Sequence, residues 1–416
     1  MEFNSKFVRG DCMYINRAMQ RALSEAAKHF PVIMLCGARQ IGKTTLLEKI
    51  CGDRDDVTFV TLDHPQLRMI AKEDPELFLN QYKTPLVIDE IQYAPELLIY
   101  IKMRVDKNNA PGQYYLTGSQ MFRMMKGVSE SLAGRVAVLS MYSLSGSEIR
   151  GESSVPFLPD GDYFKNEPID VAYMFEKIYL GGMPRLVNDK EMPVELFFSS
   201  YLQTYLERDI RDIVNVKDEV KFLKFISCTA ARTAQELNLS DIGSDVGIDI
   251  KTAENWLSVL VSSGLVYLLQ PYSANTVKRI VKRPKLYFTD TGLCCYLSMW
   301  NNPKALSVSA MAGPMFETYA FCEILKSYAN AGLDTRSRLS YYRDSSGKEI
   351  DLIITQNGVL YPVEFKKSAN PGKDAVKNFG VMQSLNMPVG RGAVVCLAST
   401  VYPLDEKNRI IPITCI

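Results

Sequence analysis

The stretch PVIMLCGARQIGKTTLLEKI, residues 31–50, carries the clearest structural pattern in the first part of the chain. Its run VIMLCG is short, continuously apolar and ends in glycine, which predicts a strand buried in a parallel sheet. Residues 37–44, GARQIGKT, match the pattern G-x-x-x-x-G-K-[ST] in full, between this strand and a helix. The glycines let such a loop wrap inward, so that its main-chain N–H groups point at phosphate oxygens. The stretch therefore predicts a nucleotide-binding α/β domain.

Two polar residues of this loop have predicted tasks. Lys43 is expected to place its ammonium between the β- and γ-phosphates, and the Thr44 hydroxyl is expected to ligate Mg²⁺. The helix that begins there adds the positive end of its dipole. The predicted cofactors are therefore ATP and Mg²⁺. The residues predicted to bind the nucleotide are Gly37, Ala38, Arg39, Gln40, Ile41, Gly42, Lys43, Thr44, Thr45, Thr117 and Ser119.

Three further apolar runs, VTFVTLD, TPLVIDE and QYYLTGS, repeat the signature of the first strand, and helical stretches separate them. This alternation predicts an α/β sheet of crossover units. The run TPLVIDE ends in Asp89, suited to hold Mg²⁺ through water, and in Glu90, suited to polarise the attacking water. Thr117 and Ser119 end the next run, where they either sense the γ-phosphate or cap the strand. Glu90 favours hydrolysis of the nucleotide over its storage.

The composition excludes several classes of protein. The 416 residues are enough for two or three domains, and 47% apolar and 23% charged residues are ordinary for a globular protein. A net charge of +1 gives no global basic field, so a nucleic acid would have to contact local patches. Nine scattered cysteines without a CxxC pair, with two histidines, argue against a zinc site. Without a signal peptide or a membrane span, we expect a soluble, cytoplasmic protein with no membrane contact.

Motifs along nearly the whole chain resemble one family. The runs GARQIGKTTLL, LDHP, PLVIDEIQ, YYLTGSQ and SLAGRV, followed by GGMPRL, YLQTYLERDI and KLYFTDTGL, resemble the prokaryotic AAA-like ATPases with a C-terminal domain of unknown function 4143. The resemblance implies an α/β P-loop ATPase domain, a helical and winged-helix middle, and an α/β domain like the PD-(D/E)XK nucleases. We place these domains at residues 1–150, 151–305 and 306–416, with the Pro- and Gly-rich residues 151–168 as a linker or surface excursion.

Two arginines are candidates for neutralising charge in the transition state. Arg39 lies inside the phosphate loop, and Arg135 lies in the run SLAGRV. A structural salt bridge is the alternative for each. The resemblance implies that a neighbouring subunit completes the catalytic site with an arginine, and Arg135 is the candidate for it. We therefore expect a homo-oligomer, with a ring as one form.

The middle of the chain offers a candidate surface for DNA. Residues 233–272 read as helix, turn, helix and hairpin strand, the pattern of a winged helix, with Lys251, Thr252 and Asn255 on the exposed face of the second helix. The run KRIVKRPK is the densest basic patch and suits a phosphate backbone. A protein contact or a solvated wing is the alternative. The candidate DNA contacts are Lys251, Lys278, Arg279, Lys282, Arg283 and Lys285.

Charged residues also gather in KEIDLIITQNGVLYPVEFKKS, residues 348–368, where Asn357-Gly358 predicts a hairpin. Asp351 opens one strand, and Glu364 and Lys366 close the next with their side chains on the same face. In a nuclease-like site Asp351 and Glu364 would hold Mg²⁺, Lys366 would orient or activate the water, and Glu317 upstream would be an additional acid. Solvated strand ends are the ordinary alternative. A nuclease-like fold that only binds a partner is another.

Two functions remain open from the sequence. The first is an ATP-hydrolysing enzyme acting on DNA, for example a translocase or nuclease on branched or broken ends. The second is a nucleotide-controlled switch or scaffold whose C-terminal domain only binds a partner. Stimulation of ATP turnover by DNA would distinguish the two.

Overall fold

The structure is a computed structural model that describes residues 14–52, 54–118, 132–163, 168–205, 219–273 and 283–416. The first part of the chain forms a sheet of five parallel strands in the order β2-β3-β4-β1-β5. Its strands are β1 (Val32–Cys36), β2 (Thr58–Thr61), β3 (Leu86–Asp89), β4 (Tyr114–Gly118) and β5 (Val136–Ser140). Its helices are α1 (Gln20–Ala26), α2 (Lys43–Cys51), α3 (Pro65–Glu73), α4 (Pro75–Asn80), α5 (Leu97–Lys107) and α6 (Gly146–Ile149), with a 3-10 turn at Ile91–Tyr93.

The predicted parallel sheet is confirmed, and its order places the phosphate loop at its centre. Strand β1 lies between β4 and β5 and is buried throughout, as its uninterrupted apolar run predicts. Strands β1, β3 and β4 run in the same direction, so their carboxyl ends meet at one edge. The phosphate loop, Asp89 and Thr117 all lie at that edge.

The middle of the chain is mainly helical. Its helices are α7 (Val171–Leu180), α8 (Pro184–Asn188), α9 (Val194–Tyr205), α10 (Glu219–Ala230), α11 (Leu239–Val246), α12 (Ile250–Ser262), α13 (Thr291–Leu297) and α14 (Pro303–Val308). Three short antiparallel strands, β6 (Gln235–Glu236), β7 (Val266–Leu269) and β8 (Lys285–Phe288), form a sheet in the order β6-β8-β7. Gly247, with a φ of 76°, ends α11 in the left-handed region, and the Asp249 carboxylate caps α12 by accepting from the N–H of Thr252 at 2.9 Å.

The last part of the chain is a mixed sheet beside one long helix. The helices are α15 (Ala312–Asn330) and α16 (Thr335–Arg338), with 3-10 turns at Lys373–Leu385 and Ile413–Cys415. The strands are β9 (Leu339–Arg343), β10 (Glu349–Gln356), β11 (Val359–Lys366), β12 (Gly392–Cys396), β13 (Tyr402–Pro403) and β14 (Asn408–Pro412), in the order β13-β14-β12-β11-β10-β9. The predicted hairpin is confirmed: β10 and β11 pair antiparallel, and Asn357 and Gly358 between them have φ values of 51° and 76°.

One hydrophobic core runs through all three parts of the chain. It includes Leu35 of β1, Trp256 of α12 and Ile411 of β14, which are all buried. Further cores cover the opposite faces of the first and last sheets. Among the described residues, no helix is long and apolar enough to cross a membrane.

The described part of the predicted linker is a loop anchored to α15. Phe157 is only 2% exposed, and its N–H donates to the Ser327 hydroxyl at 3.0 Å. The Tyr328 hydroxyl donates to the Phe157 carbonyl at 2.8 Å, and the Tyr163 ring stacks on Phe157. The segment was predicted to be a linker or surface excursion; the buried Phe157 makes its described part contribute to the packing, so a surface excursion is wrong for this residue.

Candidate nucleotide site and C-terminal carboxylate cluster

The phosphate loop joins β1 to α2 through left-handed backbone conformations. The φ values are 151° at Gly37, 61° at Gln40 and 93° at Gly42. A Cβ atom on Gly37 would lie 2.2 Å from the carbonyl oxygen of Met141, so only glycine fits there. Both glycines of the motif therefore permit a turn that ends at the first residue of α2, Lys43.

Lys43 is held inside this loop. Its ammonium donates to the carbonyl oxygens of Gly37 at 2.9 Å and Ala38 at 2.8 Å, and the residue is 6% exposed. Burial lowers the pKa of Lys43, and the nearby Glu90 carboxylate opposes that effect. A buried ammonium held by neutral acceptors in a loop of this shape suits an anionic phosphate group.

Strand β3 brings its terminal acid between two hydroxyl groups. The Thr44 hydroxyl donates to Oδ1 of Asp89 at 2.9 Å, and the Thr117 hydroxyl donates to the same oxygen. Thr117 is fully buried at the end of β4 and also accepts from the N–H of Glu90 at 3.2 Å. A hydroxyl and a carboxylate this close fit the hard oxygen ligands that Mg²⁺ prefers, directly or through water.

Glu90 follows Asp89 with a φ of 58°, a left-handed conformation that residues other than glycine seldom adopt. Its carboxylate accepts from the Gln92 side chain and lies 3.8 Å from the Arg39 guanidinium. The turn thus holds Glu90 at the edge of the sheet that carries the phosphate loop, beside Arg39 from that loop. Gln92 was not singled out by the sequence, because a glutamine after a strand carries no distinctive signal.

The remaining predicted nucleotide contacts divide by exposure. Ala38 and Ile41 are buried, so only their main chains could face a nucleotide, whereas Gln40 and Thr45 are exposed. Ser119 lies outside the described residues.

Arg135 lies at the end of the sheet opposite its own phosphate loop. Strand β5 starts at Val136, which pairs with Val32, and reaches Ser140, which pairs with Cys36 next to the loop. At the usual rise per residue, Arg135 is therefore about 15 Å from the end of β5 that lies next to the loop. The guanidinium forms an ion pair with Asp106. A role of Arg135 in the site of its own chain is therefore wrong, and a role in a neighbour's site stays a prediction.

Two residues that sequence reasoning missed contact the loop from other parts of the fold. The buried Arg17 guanidinium donates to the Ile41 carbonyl at 3.0 Å and pairs with Glu148 at 3.0 Å. A Cβ atom on Gly264, just before β7, would lie 3.3 Å from the main-chain nitrogen of Ala38. From the sequence, Gly264 indicates only the end of a helix. Its contact with the phosphate loop arises from the tertiary fold.

The predicted C-terminal acids come together in a cluster that also contains Lys285. The Lys285 ammonium lies 2.9 Å from Glu317, 2.5 Å from Glu349 and 3.6 Å from Asp351. The Tyr287 hydroxyl donates to the same oxygen of Glu317 at 2.7 Å. Strand β8 therefore supplies two side chains to this cluster, and sequence reasoning had assigned neither to it.

The hairpin brings the other predicted residues to the same cluster. Oδ2 of Asp351 accepts from the N–H of Phe365 at 3.0 Å, and Lys366 donates to Oε1 of Glu364 at 2.7 Å. The other oxygen, Oε2 of Glu364, is buried and has no hydrogen-bond partner among the described residues. The ordinary alternative of solvated strand ends is wrong for Asp351 and Glu364, which are only 8% and 9% exposed.

Burial changes the proton affinities of this cluster. It raises the pKa of Glu364 to about 8 and that of Glu317 to about 7, with the Asp351 charge adding to both shifts. For Lys366, burial opposes the charged form, but the Glu364 carboxylate outweighs it and raises the pKa. The two glutamates therefore hold protons more tightly than ordinary carboxyl groups do.

The cluster does not fit the divalent metal that its nuclease-like pattern implies. No group of three or more His, Cys, Asp or Glu side chains within the described ranges is arranged to hold a metal ion. The Lys285 ammonium already lies against Glu317, Glu349 and Asp351. Metal binding by Asp351 and Glu364 therefore stays a prediction, with a resident cation opposing it.

The candidate DNA contacts separate into exposed and buried residues. Lys251 and Asn255 are exposed on α12, Thr252 is half-buried, and Arg283 is exposed before β8. Lys285 is 3% exposed within the carboxylate cluster, so its predicted contact with a phosphate backbone is wrong. Lys278, Arg279 and Lys282 lie outside the described residues. The apolar faces of this helical unit point inward: Ile242, Val246, Ala253, Trp256, Leu257 and Leu260 are buried, and Ile248 is half-buried.

Comparison with known proteins gives matches to three successive domains. Residues 29–150 match an AAA domain, residues 172–304 a domain of unknown function (DUF8612), and residues 312–416 the domain of unknown function DUF4143. An uncharacterized protein of Mycobacterium tuberculosis is 25% identical over 414 residues, which cover 99% of this chain and 87% of the relative. An uncharacterized protein of Methanocaldococcus jannaschii is 22% identical over 330 residues, covering 70% of this chain and 68% of that protein.

Two solved structures align with parts of the chain. The Holliday junction branch migration motor RuvB of Thermotoga maritima is 17% identical, with a TM-score of 0.30, over 60% of this chain and 88% of that chain. The AMPPCP-bound DnaA of Aquifex aeolicus is 14% identical, with a TM-score of 0.29, over 58% of this chain and 85% of that chain. At TM-scores this low, neither alignment establishes a shared fold or activity. The domain matches do show that the chain combines a region similar to an AAA domain with one similar to the domain of unknown function 4143.

Proposed function

We propose that this protein binds ATP with Mg²⁺ in its phosphate loop and hydrolyses it. The observation that supports this best is that the Thr44 and Thr117 hydroxyls both donate hydrogen bonds to Oδ1 of Asp89. Glu90 lies next to Asp89 at the same edge of the sheet. The AAA domain match over residues 29–150 covers all of these residues. Thr117 contacts Asp89 and Glu90 together, which favours its predicted part in sensing the γ-phosphate over a simple strand cap.

Each side chain has a role in the proposed hydrolysis. Lys43 binds the β- and γ-phosphates, while Thr44 and Asp89 hold the Mg²⁺. When bound, the metal ion neutralises charge on the phosphate oxygens. Glu90 accepts a proton from the attacking water, and Arg39, 3.8 Å from its carboxylate, supplies positive charge beside the phosphates.

The test is ATP turnover by a Glu90→Gln variant. The amide cannot accept the proton, so turnover should fall by about 10²-fold or more while ATP still binds. Nucleotide affinity is measured by calorimetry and turnover by phosphate release. Glu96→Gln, at an exposed residue without a side-chain capping bond, is the matched control and should behave as the parent does. Turnover of the Glu90→Gln protein at the parent rate would rule out the assigned role.

We propose DNA as the first candidate target of this ATPase. The exposed Lys251 and Asn255 on α12, with the exposed Arg283, support this, because a second helix of a winged-helix unit can enter the major groove. The arrangement of α10 to α12 with β6 to β8 is consistent with such a unit. Turnover should rise with single-stranded, duplex or branched DNA, and less in a Lys251→Ala variant. Unchanged turnover with every DNA would contradict this part of the proposal.

We further propose a homo-oligomer in which Arg135 reaches the nucleotide site of a neighbour. Arg135 is about one-third exposed at the sheet edge opposite its own phosphate loop, where it could serve only another chain. Mixing Arg135→Ala chains with Glu90→Gln chains should then restore part of the lost turnover, because some interfaces would contain both intact residues. An ATP-bound protein that remains monomeric in light scattering would exclude this arrangement.

A second candidate is a nucleotide-controlled switch or scaffold with a C-terminal binding module, and one observation favours it. The helix α15, the hairpin β10–β11 and the parallel strand β12 are consistent with the proposed nuclease-like fold of residues 306–416. Its carboxylates, however, already contact Lys285. ATP turnover that is insensitive to DNA but changes the assembly state would support this candidate over the first.

A further inference from the structure

The cation of the C-terminal cluster comes from another part of the chain. Lys285 opens β8 in the middle of the sequence, whereas Glu317, Glu349 and Asp351 belong to α15 and β10. Its ammonium lies 2.5–3.6 Å from these three carboxylates, and the residue is 3% exposed. A buried ammonium contacting three acids takes the position that a divalent cation would need.

The carboxylate oxygens in this cluster are also engaged. Oε1 of Glu317 accepts from both Lys285 and Tyr287, and Oδ2 of Asp351 accepts from the N–H of Phe365. Oδ1 of Asp351 faces Lys285 at 3.6 Å. A divalent ion bound here would lie within a few ångströms of a buried like charge, and such an arrangement disfavours one of the two cations.

The position of Lys285 is fixed by the packing around β8. The Tyr287 ring, two residues further along the same face of the strand, stacks on Phe321 of α15 with ring centroids 4.0 Å apart. Glu349 bridges Lys285 to Arg343, which lies 3.4 Å away on β9. The Lys285 ammonium is therefore fixed in place by the packing of β8 and by an ion-pair network. It is not the mobile end of an exposed surface lysine.

We infer that Lys285 is the resident counter-cation of the C-terminal carboxylate cluster and that it excludes divalent metal from it. The cluster then joins the middle of the chain to the C-terminal sheet instead of activating water on a metal. This inference deepens the second candidate function, in which the C-terminal part is a binding module, and it does not depend on ATP hydrolysis.

The test measures Mn²⁺ binding by electron paramagnetic resonance and calorimetry, on the full chain without nucleotide. All proteins carry Lys43→Ala, so that the nucleotide site contributes as little as possible. The Lys285-containing protein should show no Asp351-dependent Mn²⁺ site. Adding Lys285→Met removes the resident charge and should raise Mn²⁺ affinity by about tenfold or more. Adding Asp351→Asn as well should abolish that gain.

The controls separate charge from folding. Lys285→Arg retains a positive charge and should still exclude Mn²⁺. If Lys285→Met does not fold, Lys285→Met with Glu317→Gln removes one buried acid together with the cation and should still gain Mn²⁺ through Asp351 and Glu364. Asp351-dependent Mn²⁺ binding while Lys285 is present would overturn the inference. So would a folded Lys285→Met protein with unchanged affinity, or a Lys285→Arg protein that binds Mn²⁺ as tightly as Lys285→Met. Because no measurement involves ATP, failure here leaves the proposed ATPase activity untouched.

Discussion

Two buried lysines lie beside strand-end carboxylates in this protein, and they are held in opposite ways. Lys43 donates to the main-chain carbonyls of Gly37 and Ala38, at 2.9 and 2.8 Å. Lys285 lies against the carboxylates of Glu317 and Glu349, at 2.9 and 2.5 Å. Carbonyl groups leave the positive charge available to an anionic phosphate, whereas carboxylates neutralise it. The same residue type therefore suits ligand binding in one region and internal charge balance in the other.

The middle of the chain contacts both regions. Gly264 lies beside the phosphate loop immediately before β7, and Lys285 enters the carboxylate cluster at the start of β8. Strands β7 and β8 pair antiparallel, with Leu269 opposite Lys285. One small sheet thus contacts the phosphate loop at one end and the C-terminal cluster at the other. Substitutions at its two contacts can show how far the two regions are coupled.

The largest effect on ligand binding is expected from Lys43→Ala. Loss of the ammonium removes a charge-assisted contact to the phosphates, so ATP affinity should fall by about 100-fold, or ~2.7 kcal/mol. Lys285→Met should leave ATP affinity within a few fold of the parent, because the Lys285 ammonium lies against carboxylates and not in the phosphate loop. Calorimetry with ATP and Mg²⁺ measures both. Lys49→Ala, exposed on the same helix as Lys43, is the matched control. Near-parent ATP affinity in the Lys43→Ala protein would contradict the phosphate contact assigned to the Lys43 ammonium.

The second effect concerns stability. Lys285→Met leaves Glu317, Glu349 and Asp351 without their shared cation, and removing one partner of a buried ion pair typically costs about 3 kcal/mol. Urea unfolding measures the loss. The exposed Lys407→Met should cost far less, and adding Glu317→Gln to Lys285→Met should recover part of the loss. A Lys285→Met protein as stable as the parent would mean that the cluster does not need its cation.

Local sequence patterns predicted the geometry of the candidate nucleotide site well for a physical reason. The phosphate loop is one contiguous stretch, and its glycines are required by its own backbone geometry. Asp89 and Thr117 follow from the rule that parallel strands end at the same edge of a sheet. The hairpin at Asn357-Gly358 is equally local, because both residues must adopt positive φ.

The cation of the second site could not be predicted in the same way. Lys285 closes a dense basic run, which favours a surface patch, and its partner Glu317 is 32 residues away. The alternation of KLYF does place Lys285 and Tyr287 on one face of a strand. Nothing local, however, says that this face meets α15 and β10. The placement of Arg135 relative to its own phosphate loop likewise required the strand register.

The third effect is a dependence of stability on pH. Burial, followed by the Asp351 charge, raises the pKa of Glu364 from 4.5 to about 8 in the folded protein. Below pH 4.5 the folded and the unfolded protein both bind the Glu364 proton. Between pH 4.5 and about 8 only the folded protein keeps it. Stability should therefore fall as pH rises from about 5 to about 8.

Glu364→Gln should reduce the loss of unfolding free energy between about pH 5 and pH 8 by about 1–2 kcal/mol. The effect is not larger because Glu317 titrates in the same range and contributes part of the loss. Urea midpoints at a series of pH values measure it, and the exposed Glu406→Gln is the control. The charges facing Glu364 come from Asp351, Lys366 and Glu317, so all three stay unchanged in both variants. A decline of equal steepness in the Glu364→Gln protein would show that the buried glutamate does not set the pH response.

The smallest effect tests the contact between the middle of the chain and the nucleotide site. Gly264 and Gly247 have nearly equal φ values, 73° and 76°, so replacing either by alanine incurs the same backbone strain, about 1 kcal/mol. Only at Gly264 would the new Cβ approach the phosphate loop, 3.3 Å from the nitrogen of Ala38. At Gly247 it would meet no atom within 4 Å.

The difference between these two variants isolates the loop contact from the backbone strain. Both should lose similar stability in urea unfolding, but only Gly264→Ala should weaken ATP binding, by a few fold, because the displaced main chain of Ala38 belongs to the phosphate loop. Equal ATP affinities in the two variants would mean that the loop absorbs the contact without consequence, and the middle sheet would then be coupled to the carboxylate cluster alone. The other outcome is that Gly264→Ala weakens ATP binding while Gly247→Ala and Lys285→Met leave it unchanged. The sheet would then affect the phosphate loop through the Gly264 contact beside β7, and a change at Lys285 in β8 would not reach that loop.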